Sequence, residues 1–280
     1  MSDAIRAACV IGWPVAHSRS PLIHNYWLAQ HGIGGDYRRE PVAPEQLAHF
    51  LHNLGGRGYV GANVTLPHKE AVLALAEADA RARAVGAANT LWLDGATLRA
   101  TNTDVEGFLG NLDVAVKQWD SGLRTATVLG AGGAARAVIF GLIERGVGRI
   151  FVVNRSREKA LALRERFGER VHARAWDEVG DALAASGLVV NTTSLGMTGQ
   201  PELTIDLSPL PSRAVVCDTV YAPLRTELLK QAERLDLDTA DGLGMLLHQA
   251  VRGFSLWFGV TPEVTPELRR MLEADLEKTS

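Results

Sequence analysis

Two cysteines in 280 residues, Cys9 and Cys217, are too few and too far apart for a disulfide framework or a zinc site. Each lies in a short apolar run, Ala7 to Ile11 and Ala214 to Asp218, where small buried thiols are common. No apolar run approaches the roughly 18 residues that span a bilayer. Trp13-Pro14 interrupts the apolar start and argues against a secretory signal. Blocks of like charge are missing too: 29 Lys and Arg stand scattered among 32 Asp and Glu, a net of -3, which leaves no basic surface for nucleic acid or membrane. Metal chemistry is not expected, because His49 and His52, three apart on one helix, have neither an HExxH context nor a third ligand. There is no internal repeat and no low-complexity segment. What remains is an ordinary globular composition, 46% hydrophobic and 22% charged, in a length that suits one or two domains. The expected setting is cytoplasmic.

The most informative stretch is Thr125-Ala-Thr-Val-Leu-Gly130-Ala131-Gly132-Gly133-Ala134-Ala135. A β-branched run passes into glycines, and Ala137, Val138, Ile139, Leu142 and Ile143 then recur at a helical period. Strand, glycine turn and helix in that order, with Gly130-x-Gly132-x-x-Ala135, fit the dinucleotide fingerprint. Free N–H groups at the positive end of the helix would face a pyrophosphate. The next apolar run, Arg149 to Val153, ends in Asn154-Arg155-Ser156, with Lys159 one turn on. An NAD site usually carries an acid there, whereas Arg155 suits a 2′-phosphate, so the cofactor expected is NADP.

Ahead of that stretch, Ala7 to Ile11, Asp36 to Glu40 and Tyr59 to Val64 read as strands and Pro44 to Leu54 as a helix. Ser20-Pro21 reads as a helix start, with Ser20 as its cap; the same residues admit a second role, in which the Ser18 and Ser20 hydroxyls bind a small carboxylate. Asn63 and Thr65 share one face of a strand end. Lys69 opens what reads as an alanine-rich helix from Ala71 to Ala84, broken near Asp79. A cation at a helix N-terminus opposes the dipole, which makes Lys69 a candidate for chemistry. Asp94-Gly95 marks a hairpin, and Asp104 stands at a further helix start, where capping alone would account for it.

From Thr125 onward, strands and helices alternate regularly, as in a doubly wound sheet. The loops at the carboxyl ends of its strands include Asn191 to Met197, Asp218 to Pro223 and Asp241 to Gln249, in which Gly242 and Gly244 suit close contact with a cofactor ring. The expected architecture is α/β: a substrate domain over residues 1–120, with a C-terminal helix near 262–280 packing back on it, a Rossmann domain over residues 121–261, and a cleft between them.

Ser18-Arg-Ser-Pro21, Asn63-Val-Thr-Leu-Pro-His-Lys69, Gly86-Ala-Ala-Asn-Thr90, Asn102-Thr-Asp104, the glycine turn, Asn154-Arg-Ser156 and the three later loops closely resemble the shikimate dehydrogenase family along essentially the whole chain. The resemblance implies an NADP enzyme interconverting 3-dehydroshikimate and shikimate, on the route to chorismate and the aromatic amino acids. It implies that Ser18 and Ser20 bind the substrate carboxylate, that Asn63, Thr65, Asn89, Asp104, Tyr221 and Gln249 surround the ring hydroxyls, and that Lys69 and Asp104 are the catalytic pair. It also implies that Gly130, Ala131, Gly132, Gly133 and Ala134 hold the pyrophosphate. Asn154, Arg155, Ser156 and Lys159 would then hold the adenosine phosphate, and Thr219, Gly242 and Met245 the nicotinamide side. The expected partner is a small molecule, with neither nucleic acid nor membrane, and the chain would work as a monomer or homodimer. Two alternatives stay open: a quinate/shikimate dehydrogenase using NAD, and a non-catalytic NADP-binding regulator on the same scaffold.

Overall fold

The computed structural model describes residues 6–279; residues 1–5 and 280, at the two ends of the expected domains, lie outside the described residues. Packing divides the chain into two units. The first runs to Thr103 and takes in Gln249–Leu272; the second comprises Asp104–His248 and the residues from Glu273.

In the first unit the elements are β1 (Arg6–Gly12), α1 (Ser20–Gln30), β2 (Gly35–Pro41), α2 (Leu47–His52), β3 (Tyr59–Val64), β4 (Glu77–Ala78), α3 (Ala80–Val85), β5 (Thr90–Asp94) and β6 (Thr97–Thr101). They form a six-stranded sheet in the order β2-β1-β3-β5-β6-β4. β1 pairs in parallel with β2 and β3, and β5 runs antiparallel to both β3 and β6. The hairpin turns at Gly95, whose φ of +60° suits glycine. Register places Asn63 opposite Thr90, which brings the polar end of β3 against the polar start of β5. Cys9, Ile11, Phe50, Leu54, Ala62 and Leu91 are among the buried side chains of one core. A cluster of rings, His24, Trp27, Tyr37, Phe254 and Trp257, forms elsewhere in the unit.

Two local expectations give way here. Ser20 is not the cap of α1: Arg19 holds that position without a capping bond from its own side chain, and Pro21 lies in the first turn. The helix expected from Ala71 to Ala84 is instead a single 3-10 turn, Ala71–Ala74, followed by β4 and α3. Alanine content favours helix, but pairing of Ala78 with Ala100 of β6 and a cap at Asp79, whose Oδ1 accepts the Ala82 N–H at 2.8 Å, decide otherwise. Lys69 therefore lies in a turn ahead of a four-residue 3-10 segment, and the dipole argument for singling it out does not apply.

The second unit holds α4 (Asp104–Ala115), β7 (Thr125–Leu129), α5 (Gly133–Glu144), β8 (Arg149–Val153), α6 (Arg157–Phe167), β9 (Val171–Arg174), α7 (Val179–Ala184), β10 (Leu188–Asn191), β11 (Val215–Asp218), α8 (Glu227–Arg234) and β12 (Asp238–Ala240). Its strands are all parallel, in the order β12-β11-β10-β7-β8-β9, so the direction of winding reverses between β7 and β10. This is the doubly wound arrangement, with its ligand crevice expected at that reversal. One face of the sheet buries Val128, Val138, Ile139 and Ile150, the other Leu129, Val153, Val189 and Val216.

The division between units falls at Asp104, whereas the sequence pattern places it after residue 120. Phe108 and Leu112 of α4 belong to the same core as Val138 and Leu142 of α5, which ties α4 to the second unit. Residues 249–272 go with the first unit. There, in α9 (Gly242–Phe258), the Trp257 indole Nε1–H donates to the Leu91 carbonyl at 2.8 Å. Leu268 and Leu272 are buried in the first turns of α10 (Pro266–Thr279). Among the described residues no helix is long and apolar enough to cross a membrane.

Candidate active site

In the first unit, a run of buried amides and hydroxyls continues from the end of β3. Asn63, 5% exposed, accepts the Tyr37 hydroxyl on Oδ1 at 2.6 Å; its Nδ2 donates to the Asn89 carbonyl and to Thr90 Oγ1, both at 3.2 Å. Asn89 Oδ1 accepts the Thr103 N–H at 2.7 Å, and its Nδ2 donates to Thr103 Oγ1 at 3.0 Å and to Gln249 Oε1 at 3.2 Å. Thr90 and Thr103 share a hydroxyl hydrogen bond of 3.0 Å. Each amide thus has its oxygen and nitrogen assigned by the donors around it, which fixes what it presents to a ligand.

Beside this array, Ser18 Oγ donates to Ser20 Oγ at 3.2 Å and accepts the Ser20 N–H at 3.3 Å. The Arg39 guanidinium grips the Ser18 carbonyl with two N–H groups, at 2.9 and 2.6 Å. Burial pushes the Tyr37 phenol well above the usual range, Cys9 adds to that, and Ser20 works the other way. Thr65 packs its methyl group where a side chain at Gly12 would stand. The Lys69 carbonyl accepts the Ala88 N–H at 2.8 Å, which ties that turn to the Asn89 segment. Of the residues picked out from the sequence, Ser18 and Ser20 meet directly, and Asn63, Asn89 and Gln249 join one network. Tyr37, Thr90 and Thr103 complete it without having been assigned roles. Thr90 and Thr103 adjoin residues that were singled out, whereas Tyr37, one aromatic in a short strand, carries no local signal.

In the second unit, Asp104 is the first residue of α4 and is 6% exposed. Tyr221 is half-buried in the loop after β11. Gly130 turns the chain with φ of +105° and donates its N–H to the Val153 carbonyl at 2.8 Å. A Cβ on Gly130 would approach Thr192 Oγ1 to 2.7 Å, so only glycine fits. Gly132 caps α5 with no side-chain bond, and the first turn, from Gly133 and Ala134, carries no acid. An added side chain at Gly132 would meet nothing within 4 Å, so the helix end is open to an anion. At the end of β8, Asn154 Nδ2 donates to the Ser156 carbonyl at 2.8 Å, and Arg155 and Lys159 are exposed. Thr219 and Gly242 lie together, since a Cβ on Gly242 would come within 2.4 Å of the Thr219 carbonyl oxygen. Met245, in the following turn of α9, is 9% exposed.

A parallel sheet with a glycine turn and an acid-free helix start at its winding reversal, and the exposed cations Arg155, Arg157 and Lys159 after the next strand, define an α/β dinucleotide-binding protein. To it is joined a unit bearing an ordered array of hydroxyls and amides. Residues 10–91 match the shikimate dehydrogenase substrate binding domain, residues 113–198 the shikimate / quinate 5-dehydrogenase family and residues 242–266 the shikimate 5'-dehydrogenase C-terminal domain. The chain is 63% identical to a shikimate dehydrogenase (NADP(+)) of Rhodopseudomonas palustris strain TIE-1, over 99% of both chains. Among solved structures it is similar to shikimate 5-dehydrogenase of Thermus thermophilus in complex with NADP(H) and shikimate. That likeness has 35% identity, a TM-score of 0.86 and coverage of 97% of this chain and 99% of the other. Quinate dehydrogenase of Corynebacterium glutamicum in complex with NAD is also similar, at 32% identity and a TM-score of 0.89, covering 96% and 99%. The chain belongs to the shikimate dehydrogenase family.

Proposed function

We propose that this chain catalyses the reversible NADPH-dependent reduction of 3-dehydroshikimate to shikimate, in the pathway to chorismate and the aromatic amino acids. The observation that carries the reading is the 63% identity over 99% of both chains with a relative of that name. The open end of α5 and the cations after β8 fit NADP, with Gly130 to Ala134 at the pyrophosphate and Asn154, Arg155, Ser156 and Lys159 at the 2′-phosphate. Bound there, NADPH supplies a hydride.

The remaining work falls to side chains of this protein. Ser18 and Ser20 offer two neutral donors to the substrate carboxylate, at the start of a helix whose first turn carries no acid. Asn63, Thr65, Asn89, Tyr221 and Gln249 receive the ring hydroxyls, and the preset amides make the site selective for hydroxyls in matching positions. As the carbonyl carbon gains hydride, its oxygen takes a proton from the Lys69 ammonium; Asp104 completes the pair and receives a ring hydroxyl. Thr219, Gly242 and Met245 line the nicotinamide side. The enzyme is proposed to act in the cytoplasm as a monomer or homodimer, with neither membrane nor nucleic-acid partner.

Absorbance at 340 nm with shikimate or quinate and NADP or NAD decides the reading. Fastest turnover of shikimate with NADP supports it. Preference for quinate with NAD would give the chain a catabolic role, and NADPH binding without turnover of either acid would make it a regulator.

A further inference from the structure

One buried carboxylate has no part in the scheme above. Asp218 ends β11 and is 0% exposed. Register sets it opposite Asn191, which ends β10 and stands opposite Leu129, the last residue before the glycine turn. Asp218 Oδ1 accepts Asn191 Nδ2 and the Val220 N–H, both at 2.9 Å, and Oδ2 accepts the Thr226 hydroxyl at 2.7 Å. All three of these partners donate, which suits an anion.

Because Asp218 claims the Asn191 NH₂ group, Asn191 Oδ1 is left to accept from Thr193, through its N–H at 3.0 Å and its hydroxyl at 2.7 Å. Thr192 and Thr193 are the residues that crowd Gly130. On the other side, the Val220 N–H held by Asp218 lies in the loop whose Thr219 and Val220 carbonyls press on Gly242. One carboxylate thus orders both the residues behind the phosphate turn and the loop proposed to meet the nicotinamide. We infer that Asp218 is a positioning residue for the cofactor, holding the loops after β10 and β11 in the shape that NADP requires; this rests on the reading that NADP binds at the turn after β7.

Burial raises the Asp218 carboxyl to about 6, against the pull of Val220, Thr226 and Asn191. The charged neighbours leave this balance intact. Burial, Asp218 and Asp241 push the Cys217 thiol above its usual range, so it stays neutral. The Asp241 carboxylate accepts the Leu243 and Gly244 N–H groups. From the α8 side, Arg225 pairs with Glu233 and Arg234 with Glu227, and Lys230 acts on Glu227. A proton on Asp218 would point a donor at two donors if it sat on Oδ1, or at the Thr226 hydroxyl if it sat on Oδ2. Only the Thr226 hydroxyl can turn to accept it, and that oxygen already takes the Leu229 N–H at 3.4 Å.

The test is calorimetric titration of NADP into the full chain and into Asp218→Asn, at pH 7.5 and at pH 5. At pH 7.5 the variant should bind about tenfold more weakly; at pH 5, where the unsubstituted carboxyl is itself protonated, the ratio of the two Kd values should shrink toward one. The ligand phosphate titrates alike in both experiments and cancels in that ratio. Equal affinity at pH 7.5, or a ratio unmoved at pH 5, overturns the inference. Failure of the unsubstituted chain to bind NADP overturns the cofactor reading instead. If Asp218→Asn does not fold, Thr226→Val removes one donor and keeps the charge. It should weaken binding several-fold and move the acid limb of the pH profile upward, and an unchanged affinity and profile would refute the role.

Discussion

The Tyr37 hydroxyl donates to Asn63 Oδ1 at 2.6 Å, and so decides which end of that amide faces each neighbour. Tyr37→Phe keeps the ring that stacks on His24, at 4.2 Å between centroids, and deletes only the donor. A buried amide oxygen losing a partner costs about 1–3 kcal/mol of stability. The KM for shikimate should rise about tenfold while the KM for NADP stays within twofold; equal changes in both would mean that the hydroxyl serves the fold alone.

Gly61→Ala tests how the first unit holds the end of α9. The added Cβ would lie 2.4 Å from the Leu91 carbonyl oxygen and would overlap Trp257 Nε1, the group that donates to that same carbonyl. Relief requires a strand or an indole to move, a strain of about 3 kcal/mol with the lost hydrogen bond included. Thermal denaturation should show a midpoint lower by several degrees, and an unchanged midpoint would mean that this contact yields freely.

The strands and the glycine turn were legible because their signals are local, such as the β-branched run ended by glycine at β7. The course of residues 71–79 was not. Alanine propensity there competes with β4 pairing to β6, and a partner some twenty residues away leaves no trace in a window read by itself. Tyr37 escaped notice for the same reason, since its value lies in facing Asn63, 26 positions on. The Asn89 segment was easier to find, because Asn89 and Thr103 come from stretches already conspicuous for polar residues beside strands. The extent of the units was the hardest to read, since α4 and the end of α9 are ordinary amphipathic helices whose sequences do not say which sheet they will cover.

Lys69→Ala should lower turnover by about 10²-fold or more, the usual contribution of a positioned acid. The KM for shikimate should change far less. Steady-state rates in both directions measure this, and a variant that keeps its turnover removes Lys69 from the reaction.

Arg155→Ala should reduce the NADP to NAD ratio of kcat/KM about tenfold, because an arginine fork on a phosphate is replaced by solvent. Arg155 is exposed, so the effect should weaken with added salt. An unchanged ratio would pass the selection to Lys159 or to the backbone at Ser156.

Acid stability should expose two buried groups with opposite signs. His24 is fully buried and burial lowers it from 6.5 to about 3, with the nearby Asn63 opposing. The unfolded chain takes that proton first, so the stability from a neutral His24 is complete above pH 6.5 and is lost on the way down to pH 3, about 5 kcal/mol in all. Asp218 goes from 3.8 up to about 6, so here the folded chain binds the proton more tightly, and its burial cost of about 3 kcal/mol disappears as pH falls from 6 to 3.8. Between pH 6 and 4 the two slopes oppose each other. Denaturant unfolding across that range should show His24→Phe losing less stability on acidification than the unsubstituted chain, and Asp218→Asn losing more. Curves that stay parallel for all three proteins would mean that neither group changes its protonation on unfolding.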